Sequence, residues 1–162
     1  LRLGAGGLLV GGLSAYVPEV WANGFSTISQ LLQGQILWPW VAVILVTKFA
    51  ATLLNTGSGA IGGMFTPTLF VGAAAGFSLA ELASMGLPVE WVGDPRTLAV
   101  IAMSAMLSAV THAPLMAIVM VLEMTNQFHL TVPITLACGV ALAISMQSGV
   151  RPMYGNPIEA KV

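Results

Sequence analysis

Charged residues divide this chain into long apolar runs. Between Lys48 and Glu81 there is no charge, between Arg96 and Glu123 only His112 interrupts, and between Glu123 and Arg151 only His129. Intervals of this length can each supply the roughly 20 apolar residues of a bilayer-spanning helix. Proline and glycine set the boundaries inside them. The pattern predicts an apolar helix over Leu3 to Val17 that ends at Pro18-Glu19. An interfacial stretch follows, marked by Trp21, Asn23, Gly24 and Gln33 around a short helix from Phe25 to Leu32, because Trp favours the headgroup level. Next come a helix from Pro39 to Leu54, with Trp38 and Trp40 at its entrance, and one from about Met64 to Leu82. The polar turn Ser84 to Asp94 leads to helices over Thr97 to Val110, Pro114 to Met124 and Pro133 to Gln147, and a polar tail from Arg151 to Val162 leaves the membrane.

Several of these runs come out at roughly 11 to 17 residues, below the length of a regular span. Short, interrupted hydrophobic segments point to broken helices that meet near the bilayer midplane around a substrate. Irregular backbone survives at that depth only where protein or a water-filled cavity satisfies its polar groups. Gly7 and Gly11, and again Gly72 and Gly76, stand four apart, a spacing that lets helices approach closely in lipid.

Composition settles the class. Hydrophobic residues make up 57% of the 162 and charged residues 7%, with a mean hydropathy of +0.91. Five basic and six acidic residues are too few to cover a soluble surface. The chain is therefore read as an all-α, multi-pass integral membrane protein. A net charge of −1 excludes a basic footprint for nucleic acid. Cys138 is the single cysteine, so there is neither an internal disulfide nor a multi-cysteine metal site, and it reads as a small core residue. The first residue is Leu1, with no basic region and cleavage site ahead of the apolar stretch, so the chain reads as an internal or processed piece of something longer.

The stretch from Gly57 to Pro67, Gly-Ser-Gly-Ala-Ile-Gly-Gly-Met-Phe-Thr-Pro, delivers an irregular segment into the start of an apolar helix. Pro67 suits a first helical turn, where its missing N–H would have been unpaired anyway. A helix start carries unpaired N–H groups and about half a positive elementary charge, and in a dry environment it attracts an anion. Half a charge 4 Å from an anion contributes about 2 kcal/mol at an effective dielectric of 20, against about 4 for a full lysine charge. The weaker attraction suits conduction, since the ion must also leave. Tight helix packing is the other reading of these glycines.

The remaining polar residues have structural readings. Lys48, near a helix end, is expected to snorkel to the interface or pair with terminal carbonyls, although an intramembrane lysine is also a functional candidate. Glu123 is expected to make hydrogen bonds at a helix end, and His112 to bond locally beside Pro114. Gly57-Ser58-Gly59 with His112 or His129 as base is a fragment of a serine hydrolase motif, but an intramembrane serine protease pattern needs glycine where Thr56 stands. No enzyme activity, cofactor or metal is expected.

Gly62-Gly-Met-Phe-Thr-Pro67 resembles the Gly-x-Phe-x-Pro anion-binding motif of the CLC chloride channels and chloride/proton exchangers, with Gly57-Ser-Gly in front as in that family. Asn23-Gly-Phe25, Lys48-Phe-Ala-Ala-Thr52, Ala113-Pro114-Leu115, Val121-Leu-Glu-Met-Thr125, Pro133 and Tyr154 are similar to family positions in the same order, so the resemblance covers nearly the whole chain. It implies that residues 1–162 are the C-terminal half of a CLC-type membrane domain, the second of two inverted repeats of broken, tilted helices, with residues 151–162 as the inner-gate segment and the start of a cytoplasmic tail. It implies chloride or a similar small anion as the transported ligand, bound by Gly63, Met64, Phe65 and the Tyr154 hydroxyl. The implied partners are the missing N-terminal half, the lipid bilayer, and a second copy meeting helices within about 114–147 in a homodimer. The family's first-half segments, Gly-Ser-Gly-x-Pro and Gly-Arg-Glu-Gly-Pro with its gating glutamate, have no counterpart here, so this chain holds about half of such an anion site. Channel and proton-coupled exchanger both fit the resemblance, in a bacterial inner membrane or another cell membrane. Apart from the family, the pattern also fits a broken-helix transporter for another solute, or a membrane packing module.

Overall fold

The computed structural model describes residues 2–16, 25–58, 63, 65–88 and 92–153. Helices α1 (Arg2–Tyr16), α2 (Phe25–Leu32), α3 (Trp38–Gly57), α4 (Phe65–Ser84), α5 (Pro95–Thr111), α6 (Pro114–Thr125) and α7 (Thr131–Gln147) follow one another, with a 3₁₀ turn at Phe128–Leu130 leading into α7. Among the described residues there is no strand. Among the described residues, three stretches are long and apolar enough to cross a membrane: Trp38–Asn55, Phe65–Ser84 and Phe128–Gln147. The helices α5 and α6 are shorter apolar segments. The interrupted architecture expected from the sequence is thus confined to part of the chain, because α3 runs to 20 residues where the pattern from Pro39 to Leu54 suggested a shorter helix.

Proline marks the helix starts for a physical reason. Pro39, Pro67, Pro95, Pro114 and Pro133 all lie within the first three residues of α3, α4, α5, α6 and α7, where the N–H that proline lacks has no intrahelical partner. At α5 the preceding Asp94 completes the start, its carboxylate accepting from the Arg96 amide at 3.1 Å. That cap begins the helix at Pro95, two residues before the expected Thr97. The helices α5 and α6 end on residues in the left-handed conformation, His112 (φ 55) and Asn126 (φ 54), whose amides return to Ser108 and Leu122.

The centre of the structure is the α4–α5 pair. Of the three long stretches, Phe65–Ser84 has the largest buried share, with ten of its 20 residues buried, so α4 is the inner helix. Its Leu69, Phe70, Ala73 and Ala74 form a core with Ala99, Val100, Met103 and Leu107 of α5 and with Ile134 and Cys138 of α7. Gly72 and Gly76 allow the two backbones to meet. A Cβ on Gly72 would stand 2.9 Å from the Ala102 carbonyl oxygen and the Met103 Cα, and one on Gly76 2.4 Å from the Ala102 Cβ. In lipid, where apolar surface gains little by leaving the solvent, such contact supplies much of the association energy. Cys138 lies fully buried in this core, and its carbonyl accepts from Ser108 Oγ at 2.9 Å.

The other glycine pair behaves differently. Sites at Gly7 and Gly11 would place a Cβ in open space, whereas the close contact falls on Gly6, whose Cβ would stand 2.6 Å from the Ser58 Cβ. The close approach of α1 is therefore made one position away from the expected pair, against the residue that follows α3.

Candidate anion site

The segment between α3 and α4 is described at Ser58, at Gly63 and where it meets α4 at Phe65. Its first residue, Ser58, is tied to the end of α3 by its amide, which donates to the Leu54 carbonyl at 2.9 Å, and by its hydroxyl, which donates to the Asn55 carbonyl at 2.7 Å. The backbone of α1 closes over it at Gly6. At the far end, the Phe65 ring packs against the hydrophobic core and fixes where α4 begins.

The four expected anion-binding residues divide accordingly. Gly63 is exposed and irregular, with nothing within 4 Å of where a Cβ would be. Phe65 is the first residue of α4. Met64 and Tyr154 lie outside the described residues. Since Pro67 has no N–H and a helix start lacks intrahelical acceptors, Phe65 and Thr66 supply the leading amides of α4. Thr66 was not among the expected residues, although the motif that names Phe65 contains it.

Lys48 brings in a second positive group. Rather than snorkelling to an interface, it is 5% exposed, and its Nζ lies 5.9 Å from the centroid of the Phe70 ring. That distance falls within the range of a cation–π contact. Phe70 is five residues into α4, about 7.5 Å along the axis, and helical side chains lean toward the N-terminus. The lysine ammonium therefore lies against α4 at Phe70, in the N-terminal half of that helix. Sequence spacing alone could not show this, because the approach is between α3 and α4.

The groups considered for other chemistry are placed elsewhere. His112 Nε2 is 3.0 Å from Ser145 Oγ, so its partner is on α7 and not local as expected. Ser58 already donates to Asn55. His129 and Glu123 are exposed, and Glu123 has no hydrogen-bonding role among the interactions described here. Among the described residues, no three His, Cys, Asp or Glu side chains group as a metal site.

Apolar helices long enough to cross a membrane, with proline in their first turns and packed around the inner helix α4, define an all-α, multi-pass membrane protein. The family model for the voltage gated chloride channel matches residues 1–146. The chain belongs to this family, whose members are channels and transporters and not enzymes. A ClcB-like chloride channel protein of Ralstonia nicotianae is 44% identical over 162 residues, covering 98% of this chain and 37% of that protein. The voltage-gated ClC-type chloride channel ClcB of Escherichia coli O81 is 40% identical over 148 residues, covering 89% of this chain and 34% of its own length. The crystal structure of a slow cyanobacterial Cl⁻/H⁺ antiporter superposes with a TM-score of 0.69 at 28% identity, covering 78% of this chain and 30% of that one. The chain spans about a third of the length of the relatives it matches.

Proposed function

We propose that this chain forms the second half of a membrane domain that moves chloride or a similar small anion across a bilayer, with the anion held at the start of α4. The observation that carries the reading is the exposed Gly63 just ahead of the start of α4, with the Lys48 side chain buried against Phe70 of the same helix. The backbone amides of Gly63, Met64 and Phe65 and the Tyr154 hydroxyl are the proposed donors. All are uncharged, which keeps binding weak enough for release. The first half of the domain, a homodimer contact through helices within 114–147, and residues 151–162 as the inner-gate segment belong to the same proposal. It assigns no cofactor.

The names of the similar proteins include both channels and a Cl⁻/H⁺ antiporter, so the test separates these mechanisms. The full-length protein in liposomes should show chloride flux, and an imposed pH gradient should drive uphill chloride movement only if transport is proton-coupled. Absence of chloride flux, with flux of another solute or of none, would leave a different transporter or a packing module in its place.

A further inference from the structure

Among the described glycines of α1, Gly7, Gly11 and Gly12 have nothing within 4 Å of where a Cβ would be. Gly6 is different. A Cβ there would stand 2.6 Å from Ser58 Cβ, 2.9 Å from Ser58 Oγ and 3.8 Å from the Leu54 carbonyl oxygen. Non-bonded carbon atoms rest at about 3.5 to 4.0 Å, so only glycine lets α1 pass this close to the residue that follows α3.

Ser58 has little room to give way. Its amide donates to the Leu54 carbonyl at 2.9 Å and its hydroxyl to the Asn55 carbonyl at 2.7 Å, so backbone and side chain are both committed to the end of α3. Its Cβ moves only with that backbone. On the other side, α1 is seated through Val10, which packs against the hydrophobic core. Seven residues beyond Ser58, Phe65 opens α4 with its ring packed against the same core. The chain from Ser58 to Phe65 therefore runs between two fixed points. In close-packed surroundings a shift of the first is passed on rather than absorbed, and it is taken up ahead of the second, at Gly63 and the leading amide of α4.

We propose that Gly6 is a positioning residue for the anion site. By admitting Ser58 against α1, it sets where the chain enters the segment that ends in the amides of the α4 start. The proposal rests on the reading of that start as the anion site, and it gives Gly6 no contact with the ion.

The test uses the full-length protein, with chloride affinity measured by calorimetry and folding by thermal denaturation. Gly6→Ala favours the helix itself, so a loss of binding must come from the contact with Ser58. The substitution should raise the chloride dissociation constant about three- to tenfold, the scale of one misplaced hydrogen bond. Ser58→Gly removes the Cβ that the new methyl group would strike, and on that background Gly6→Ala should cause no further change. Unchanged affinity in Gly6→Ala, with or without a lower melting temperature, would mark a structural contact only and overturn the proposal, as would an equal loss on both backgrounds. If Gly6→Ala does not fold, Ser58→Gly decides alone: loosening the segment should raise the dissociation constant about threefold, and an unchanged constant would overturn the proposal. Phe65→Pro separates this role from the site it serves. If that variant binds more weakly than Phe65→Ala while Gly6→Ala binds normally, the α4 site stands and the positioning role falls; if the two Phe65 variants bind alike, both fall.

Discussion

The starts of α4 and α5 show what decides whether a helix N-terminus is available to an ion. At α5, Asp94 directs its own carboxylate to the Arg96 amide, so the chain supplies the anion that the helix start attracts. Ahead of α4 the sequence is Gly62-Gly63-Met64, and no charged side chain occurs from 49 to 80. Lys48 lies against Phe70 of α4, with its Nζ 5.9 Å from the ring centroid, whereas α5 has a carboxylate at its start. On the proposed reading, the residue before the first turn decides which helix start is left for an anion.

Four substitutions in the full-length protein would break or sharpen this contrast, with chloride affinity measured by calorimetry on folded samples. Phe65→Pro should have the largest effect, because it deletes the amide at a position where proline is sterically welcome. Relative to Phe65→Ala, which loses the ring but keeps the amide, it should weaken binding about 10- to 100-fold, the range for a hydrogen bond to a charged partner. Equal affinities for the two variants would remove the backbone site. Gly63→Asp makes the start of α4 resemble that of α5, and the added carboxylate should compete with chloride and cost about tenfold in affinity; an unaffected titration would mean the anion binds elsewhere. Tyr154→Ala removes one neutral donor, for an expected loss of about three- to tenfold. Asp94→Ala should lower stability by about 1 kcal/mol in a denaturation experiment and leave chloride affinity unchanged, and a clear loss of affinity would show that the two helix starts are not independent.

Local chemistry was legible in the sequence, and rotation was not. Prolines 67, 114 and 133 marked helix starts correctly because the missing N–H acts within one turn, whatever the helix packs against. Asp94-Pro95 carries the same kind of signal, although the polar turn expected from Ser84 to Asp94 leaves the next helix to start only at Thr97. The Gly72 and Gly76 seam was found from spacing, while the same spacing at Gly7 and Gly11 missed the actual contact at Gly6. In a helix that is apolar on all sides, nothing in the sequence says which face meets a neighbour. The same ignorance placed Lys48 at an interface and gave His112 a local partner, although Phe70 and Ser145 come from other helices. Of the candidate site, Gly63 and Phe65 are legible as a motif, and the burial of Lys48 against Phe70 only through the α3–α4 crossing.

The seam at Gly72 and Gly76 has a mechanical consequence. At Gly72 and Gly76 the two helices meet directly at their backbones, and a close-packed interface transmits displacement instead of absorbing it. Any cycle of opening and closing is therefore expected to carry α4 and α5 as a single lever, with the hinges at their ends.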